Sequence, residues 1–178
     1  MRDLYLSGDI SVVVDNNILI DLFELGCLHL LFLCFKIVII PKVLYEHEVS
    51  ENIKIELSVF EFHLADIETE RGLEIYRFLL SDVNYRKLSR MDRFAISIAG
   101  EKHYYCNSND LPVRRACDDL GIKYTGILGV LGRAFHMLFI SREELDEYIG
   151  KIESNLTSCY IKHEVIKDFY EHLLDNGE

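Results

Sequence analysis

The strongest constraint on the fold lies in three short apolar runs that show no alternation: ISVVV at 10–14, KIVII at 36–40 and YYC at 104–106. A strand with one wet face alternates apolar and polar residues, whereas a strand covered on both faces reads as an unbroken apolar run. Two further strand-like stretches, VFEFHL at 59–64 and IKY at 122–124, complete a set of five. Helical periodicity fills the intervals at about 16–25, 27–34, 42–56, 67–80, 89–101 and 111–120, and continues at 126–139, 142–153 and 161–174. Strands separated by helices form βαβ units, and the right-handed crossover rule then puts helices on both faces of the sheet. The expected architecture is α/β: a three-layer α/β/α sandwich around a five-stranded, mostly parallel sheet.

The chain of 178 residues is long enough for one sizeable core, and no Pro-, Gly- or Ser-rich linker interrupts it. The most apolar stretch, CLHLLFLCFKIVIIP, is broken by His29 and Lys36 and falls short of the roughly 20 residues that span a bilayer. The start, MRDLYLSGD, lacks the apolar region of a secretory signal. The five cysteines form no CxxC pair and stand among apolar neighbours, as reduced core residues do, and the sequon at Asn155 carries little weight without secretion. A cytoplasmic protein with no membrane partner is expected. The net charge of −11 argues against a protein that coats nucleic acid through a positive field. It leaves room for a nuclease, because carboxylates are what a Mg²⁺ site needs and divalent ions bring the missing positive charge.

In open parallel sheets, ligands bind beyond the carboxyl ends of the strands. Asp15 ends the first apolar run and could cap the helix that starts at Asn16. Asp110, in YYCNSNDLPVRR, follows the fourth run and precedes a helix whose first turn holds Pro112, so a cap is again the plain reading. Asp92 in LSRMDRFAISIAG forms a capping-box pattern with Ser89, yet shares a helical stripe with Ile96 and Ala99 and so faces the core side. A carboxylate turned inward needs a partner, and a metal ion is one. After the second run, IIPKVLYEHEVS offers Glu48, with Glu46 as the fallback. His47 completes no HExxH motif, because Glu51 stands where the second histidine would be.

The conjunction outweighs its parts. Acids follow the first, second and fourth strands, and a fourth acid opens a helix that can lie over them. Hard oxygen ligands without thiolates or paired histidines favour Mg²⁺ or Mn²⁺ over zinc, and such ions activate water for displacement at phosphorus. A receiver domain would need adjacent acids after the first strand and a lysine after a late one, but MRD is too early and Lys123 lies within the fifth run. A dinucleotide-binding fold would need GxGxxG, which GILGVLG does not supply.

Four blocks in order, VVVDNNILIDL, IPKVLYEHEV, LSRMDRFAISIA and CNSNDLPVRRACDDLGIKYTGILGVL, resemble the PIN-domain ribonucleases, in particular the VapC-type toxins of toxin–antitoxin pairs. The resemblance covers about Val12 to Leu131, and the segment after about residue 140 has no matching motif. It implies one PIN-like domain over 1–178 with a helical C-terminal extension from about 141, and a sheet in the order 3-2-1-4-5. It implies endonucleolytic RNA cleavage with Mg²⁺ or Mn²⁺, by catalytic and metal-binding acids Asp15, Glu48, Asp92 and Asp110. Asn17 would support Asp15, and Ser108 would be the hydroxyl two residues before the acid Asp110, which is preferred to Asn109.

Arg90 and Arg93 flank Asp92, and Arg114 and Arg115 follow Asp110. They belong to an ordinary solvated face or contact RNA phosphates at the entry to the acidic site. The resemblance also implies a small antitoxin protein as partner. The aromatic-rich helices DEYIGKIE and KDFYEHLL serve either core packing or an interface, including a homodimer. The competing functional reading is a catalytically silent PIN-like module that binds or scaffolds.

Overall fold

Five parallel strands pair in the order β3-β2-β1-β4-β5, in a computed structural model that describes residues 9–154 and 156–174. The strands are β1 Ser11–Val14, β2 Ile37–Pro41, β3 His63–Ala65, β4 Tyr105–Asn107 and β5 Tyr124–Thr125. The segment MRDLYLSG and the sequon asparagine Asn155, both weighed above, lie outside the described residues. The order is the one implied by the PIN resemblance. The switch point falls between β1 and β4, where Val14 pairs with Asn107.

Alternation along each inner strand divides the core between two layers. Val12 and Val14, with Val38 and Ile40, face one layer, while Val13 and Ile39 face the other. The first layer holds α1 Asn16–Leu25, α2 His29–Cys34, α3 Lys42–His47, α4 Glu51–Leu57 and α8 Ile127–His136. The second is built mainly from α5 Glu70–Ser81, α6 Arg90–Lys102 and α7 Leu111–Leu120. The five cysteines are buried and unpaired.

The last helices, α9 Arg142–Glu153 and α10 His163–Leu174, pack against α8. Ile149 and Ile152 of α9 and Phe169 and Leu173 of α10 are buried in the first-layer core. These four residues are thus engaged within the chain. Among the described residues, no helix is long and apolar enough to cross a membrane.

Most element ends shift by a few residues from expectation, and three differences stand out. The predicted helix over 42–56 is two helices, because Ser50 caps α4 by accepting from the Ile53 amide, and Glu48 falls in the break. The third strand is His63–Ala65 rather than 59–64; at the sheet edge His63 and Leu64 are exposed, so the two-faced apolar signal is missing. The fifth strand sits slightly later, at Tyr124–Thr125.

Candidate metal centre

Asp15 and Asp110 both occupy the position before a helix, and neither side chain makes a capping hydrogen bond. The helix-cap explanation therefore fails for both. Asp15 is 4% exposed at the end of β1, and its backbone N–H donates to the Asn107 carbonyl, which ties it to the end of β4. Its carboxylate accepts a hydrogen bond from Ser108 Oγ at 2.8 Å. The same hydroxyl oxygen accepts from the Asp110 amide at 3.2 Å. Ser108 thus links the acid after β1 to the acid after β4.

Asp92 shows both of the features expected of it, the capping box and a place on the inward-facing stripe. Ser89 and Asp92 form a complete capping box at the start of α6, with the Ser89 amide donating to Asp92 Oδ2 at 2.6 Å and the Asp92 amide donating to Ser89 Oγ at 3.0 Å. Ile96 and Ala99, on the same stripe, are fully buried against the sheet. The stripe brings the Asp92 carboxylate over the strand ends. Asp15, Asp92 and Asp110 each present an oxygen, all within 4.8 Å of one another.

The electrostatics follow from this packing. Burial pushes Asp15 from 3.8 up to about 7; the Ser108 bond opposes the rise, and the charges of Asp92 and Asp110 add to it. Asp110 is also raised, first by desolvation and then by Asp92, against the Asn17 hydrogen bond and the Arg114 charge. Like charges held together and partly desolvated are costly unless a cation joins them. The donor set fits a hard divalent ion: three carboxylates with neither thiolate nor imidazole among them. Asp15, Asp92 and Asp110 are the residues that would hold such an ion.

The remaining residues singled out in the sequence divide unevenly. Asn17 donates to Asp110 Oδ2 at 3.1 Å, so among the hydrogen bonds it steadies the acid after β4 rather than Asp15. Glu48 is exposed just past α3 and stands outside the three-carboxylate group, while Glu46, also exposed, lies 4.0 Å from Lys42. Arg93 is engaged with backbone carbonyls, Nε with Leu79 and Nη2 with Tyr85. Arg114 likewise donates from Nε to the Ser108 carbonyl at 3.0 Å, bracing the turn that carries Asp110. Arg90 and Arg115 are exposed.

A further buried carboxylate lies near the site. Asp21 is 5% exposed in α1 and accepts from Asn109 Nδ2 at 2.9 Å, and desolvation raises its pKa. Asn109 Oδ1 in turn accepts from the Ile127 amide and from Arg114 Nη2. A Cβ on Gly126 would collide with both Arg114 and Asn109, which is why the helix after β5 opens on glycine. Asn109 is therefore the pillar of the turn, and Asp110 is its member that joins the acidic group. The signal for Asp21 was available: it sits on the buried face of α1 with Ile18, Leu22 and Leu25.

No curated protein matches the sequence. The sequence does match a family described as PIN domain, over residues 11–174, a span that takes in all five strands and the whole acidic group. With the match running from the first strand to the last helix, the chain belongs to the PIN-domain family, whose fold is that of a nuclease that generally works with a divalent metal.

Proposed function

We propose that this protein is a Mg²⁺- or Mn²⁺-dependent ribonuclease that cuts RNA endonucleolytically. The observation that carries the reading is the convergence of Asp15, Asp92 and Asp110 from three separate segments, with two of the three free of any capping duty. A divalent ion, when bound, supplies a lowered water pKa and stabilises charge at the phosphorus. Asp15 and Asp110 hold the ion from adjacent strand ends, and Ser108 and Asn17 fix their orientation. Asp92 completes the set from a helix start whose capping box prevents it from swinging away. Glu48, on the same carboxyl edge of the sheet, positions substrate or a second ion. Arg90 and Arg115, exposed, meet the RNA backbone. RNA in preference to DNA follows from the VapC-type resemblance.

The same resemblance makes the chain the toxin of a toxin–antitoxin pair, and the net charge of −11 suits a partner that offers arginine or lysine. Five unpaired thiols suit a reducing cytoplasm. The helices from about residue 141 belong to the same domain as the sheet, since their apolar residues enter its first-layer core.

A silent binding module is the second reading, favoured by one observation: the capping box gives Asp92 a reason to exist without chemistry. Incubation of the purified protein with total RNA separates the two. The nuclease cleaves with Mg²⁺ or Mn²⁺, stops in EDTA, and loses activity by orders of magnitude in Asp92→Asn. Cleavage that survives EDTA, or a folded, metal-loaded protein that leaves RNA intact, would overturn the ribonuclease reading.

A further inference from the structure

A cavity of about 550 Å³ is lined by Asn109 and Leu111, the chain neighbours of Asp110 on either side. One wall is the end of β5 and the start of α8. The opposite wall is the segment at 160–162 and the face of α10. Its volume falls in the range that takes a small ligand or one unit of a larger one. Tyr124 and Tyr160 contribute flat aromatic surfaces and Leu111 an apolar one, while Arg114 and Lys162 bring positive charge. Among the described residues, Asp168 is the one carboxylate in the lining. Arg114 is already engaged with Ser108 and Asn109, which leaves Lys162 as the cation available to a ligand.

The cavity is also held in shape. The far wall is fastened to α1 by Ser158, whose amide donates to Glu24 Oε2 at 2.6 Å and whose hydroxyl donates to Glu24 at 2.9 Å and Asp21 at 3.4 Å. The near wall is set by Asn109 and by Arg114, whose guanidinium stands 5.7 Å from the Tyr124 ring centroid. Tyr160 nevertheless remains 76% exposed and Leu111 57% exposed, an apolar cost that a bound flat ring would relieve.

We propose that this cavity receives the base of a nucleotide neighbouring the scissile phosphate in single-stranded RNA, with Tyr160 as its stacking surface and Lys162 as a contact to the adjoining backbone phosphate. The inference rests on the ribonuclease reading. Aromatic faces with flanking cations are how proteins hold single strands without reading sequence in detail. The lining residues Asn109 and Leu111 flank Asp110 in the chain, so the cavity adjoins the turn that carries this acid. A protein segment is the competing occupant; the exposed Tyr160 ring beside Lys162 favours a base with its phosphate.

The test is fluorescence anisotropy with a short, labelled, mixed-sequence single-stranded oligoribonucleotide, with Ca²⁺ in place of Mg²⁺ to hold it uncut. Tyr160→Ala weakens binding about tenfold or more, the range of a lost stacking contact. Lys162→Gln weakens binding about threefold and lowers the slope of affinity against salt by about one ion. Both variants keep the full wild-type rise in melting temperature with Mn²⁺, since neither touches the acidic group. Wild-type affinity and salt slope in both variants would overturn the proposal while leaving the nuclease reading intact. So would variants that bind the oligonucleotide normally but lose a protein that co-purifies with the wild type. A wild-type chain that gains stability from Mn²⁺ yet binds no oligonucleotide would overturn the proposal together with RNA as substrate.

Discussion

The Ser108 hydroxyl donates to the Asp15 carboxylate at 2.8 Å, joining two residues 93 positions apart in sequence. This bond favours the ionised carboxylate in a site where burial and neighbouring charge oppose it. Ser108→Ala should therefore raise the Asp15 pKa further and free its rotamer. Groups that orient metal ligands are worth about ten- to a hundredfold in affinity. A Mn²⁺ titration should show a loss of that order, with the fold retained; unchanged affinity would mean the hydroxyl is incidental.

Stability of the metal-free protein should depend on pH in a direction set by Asp15. Its folded value near 7 lies above the ordinary 3.8, so between those values the native state holds a proton that the unfolded chain has released. The stabilising contribution is complete below about pH 4 and is lost as pH rises through about 7, an effect on the order of a few kcal/mol. Asp110 and Asp21, also raised, act in the same sense. In EDTA, the melting temperature should fall between about pH 5 and about pH 8. Asp15→Asn should flatten much of that fall and melt higher at neutral pH. Equal slopes in the two proteins would refute the assignment.

The two roles of Asp92 can be pulled apart. Asparagine keeps an oxygen to accept from the Ser89 amide and removes a charge that opposes Asp15 and Asp110, so Asp92→Asn should melt at or above wild type in EDTA while losing cleavage. Asp92→Ala should lose cleavage and also about 1 kcal/mol of helix capping. Thermal melts beside an RNA assay check both. A fully active Asp92→Asn would leave Asp92 as a cap alone.

Asn109 is predicted to matter for stability before chemistry. Its side chain joins α1 through Asp21, α7 through Arg114 and α8 through the Ile127 amide. Asn109→Ala leaves buried partners unsatisfied and should cost about 2–3 kcal/mol in denaturant unfolding. Asn109→Asp should cost more, since it sets a second carboxylate against Asp21. A loss of less than about 0.5 kcal/mol in both, the scale of ordinary surface changes, would contradict the pillar role.

What could be read from the sequence tracks how locally each feature is encoded. β1 and β2 are buried on both faces, so SVVV and IVIIP announce themselves, and the strand-end rule then points to Asp15 and Asp110. β3 is three residues at an open edge and has no such pattern. The break between α3 and α4 has neither proline nor glycine to mark it, only the cap at Ser50. The capping box at Ser89 and Asp92 is a local motif and was legible, whereas the partners of Asn17 and Asn109 are set by long-range packing. Glu48 illustrates the limit: position after a strand nominates an acid, but the helix break leaves its carboxylate outside the group.

The central claim is that Asp15, Asp92 and Asp110 together hold a divalent ion. Titration of Mn²⁺ into metal-free protein at neutral pH, followed by the electron paramagnetic resonance signal of the free ion, tests it most directly. The account predicts saturable binding in the wild type, a loss of at least about tenfold in affinity for each of Asp15→Asn, Asp92→Asn and Asp110→Asn, and near-wild-type affinity at the tightest site in Glu48→Gln. Wild-type protein that leaves the free Mn²⁺ signal unchanged, or that binds the ion as tightly after Asp15→Asn as before, would contradict it.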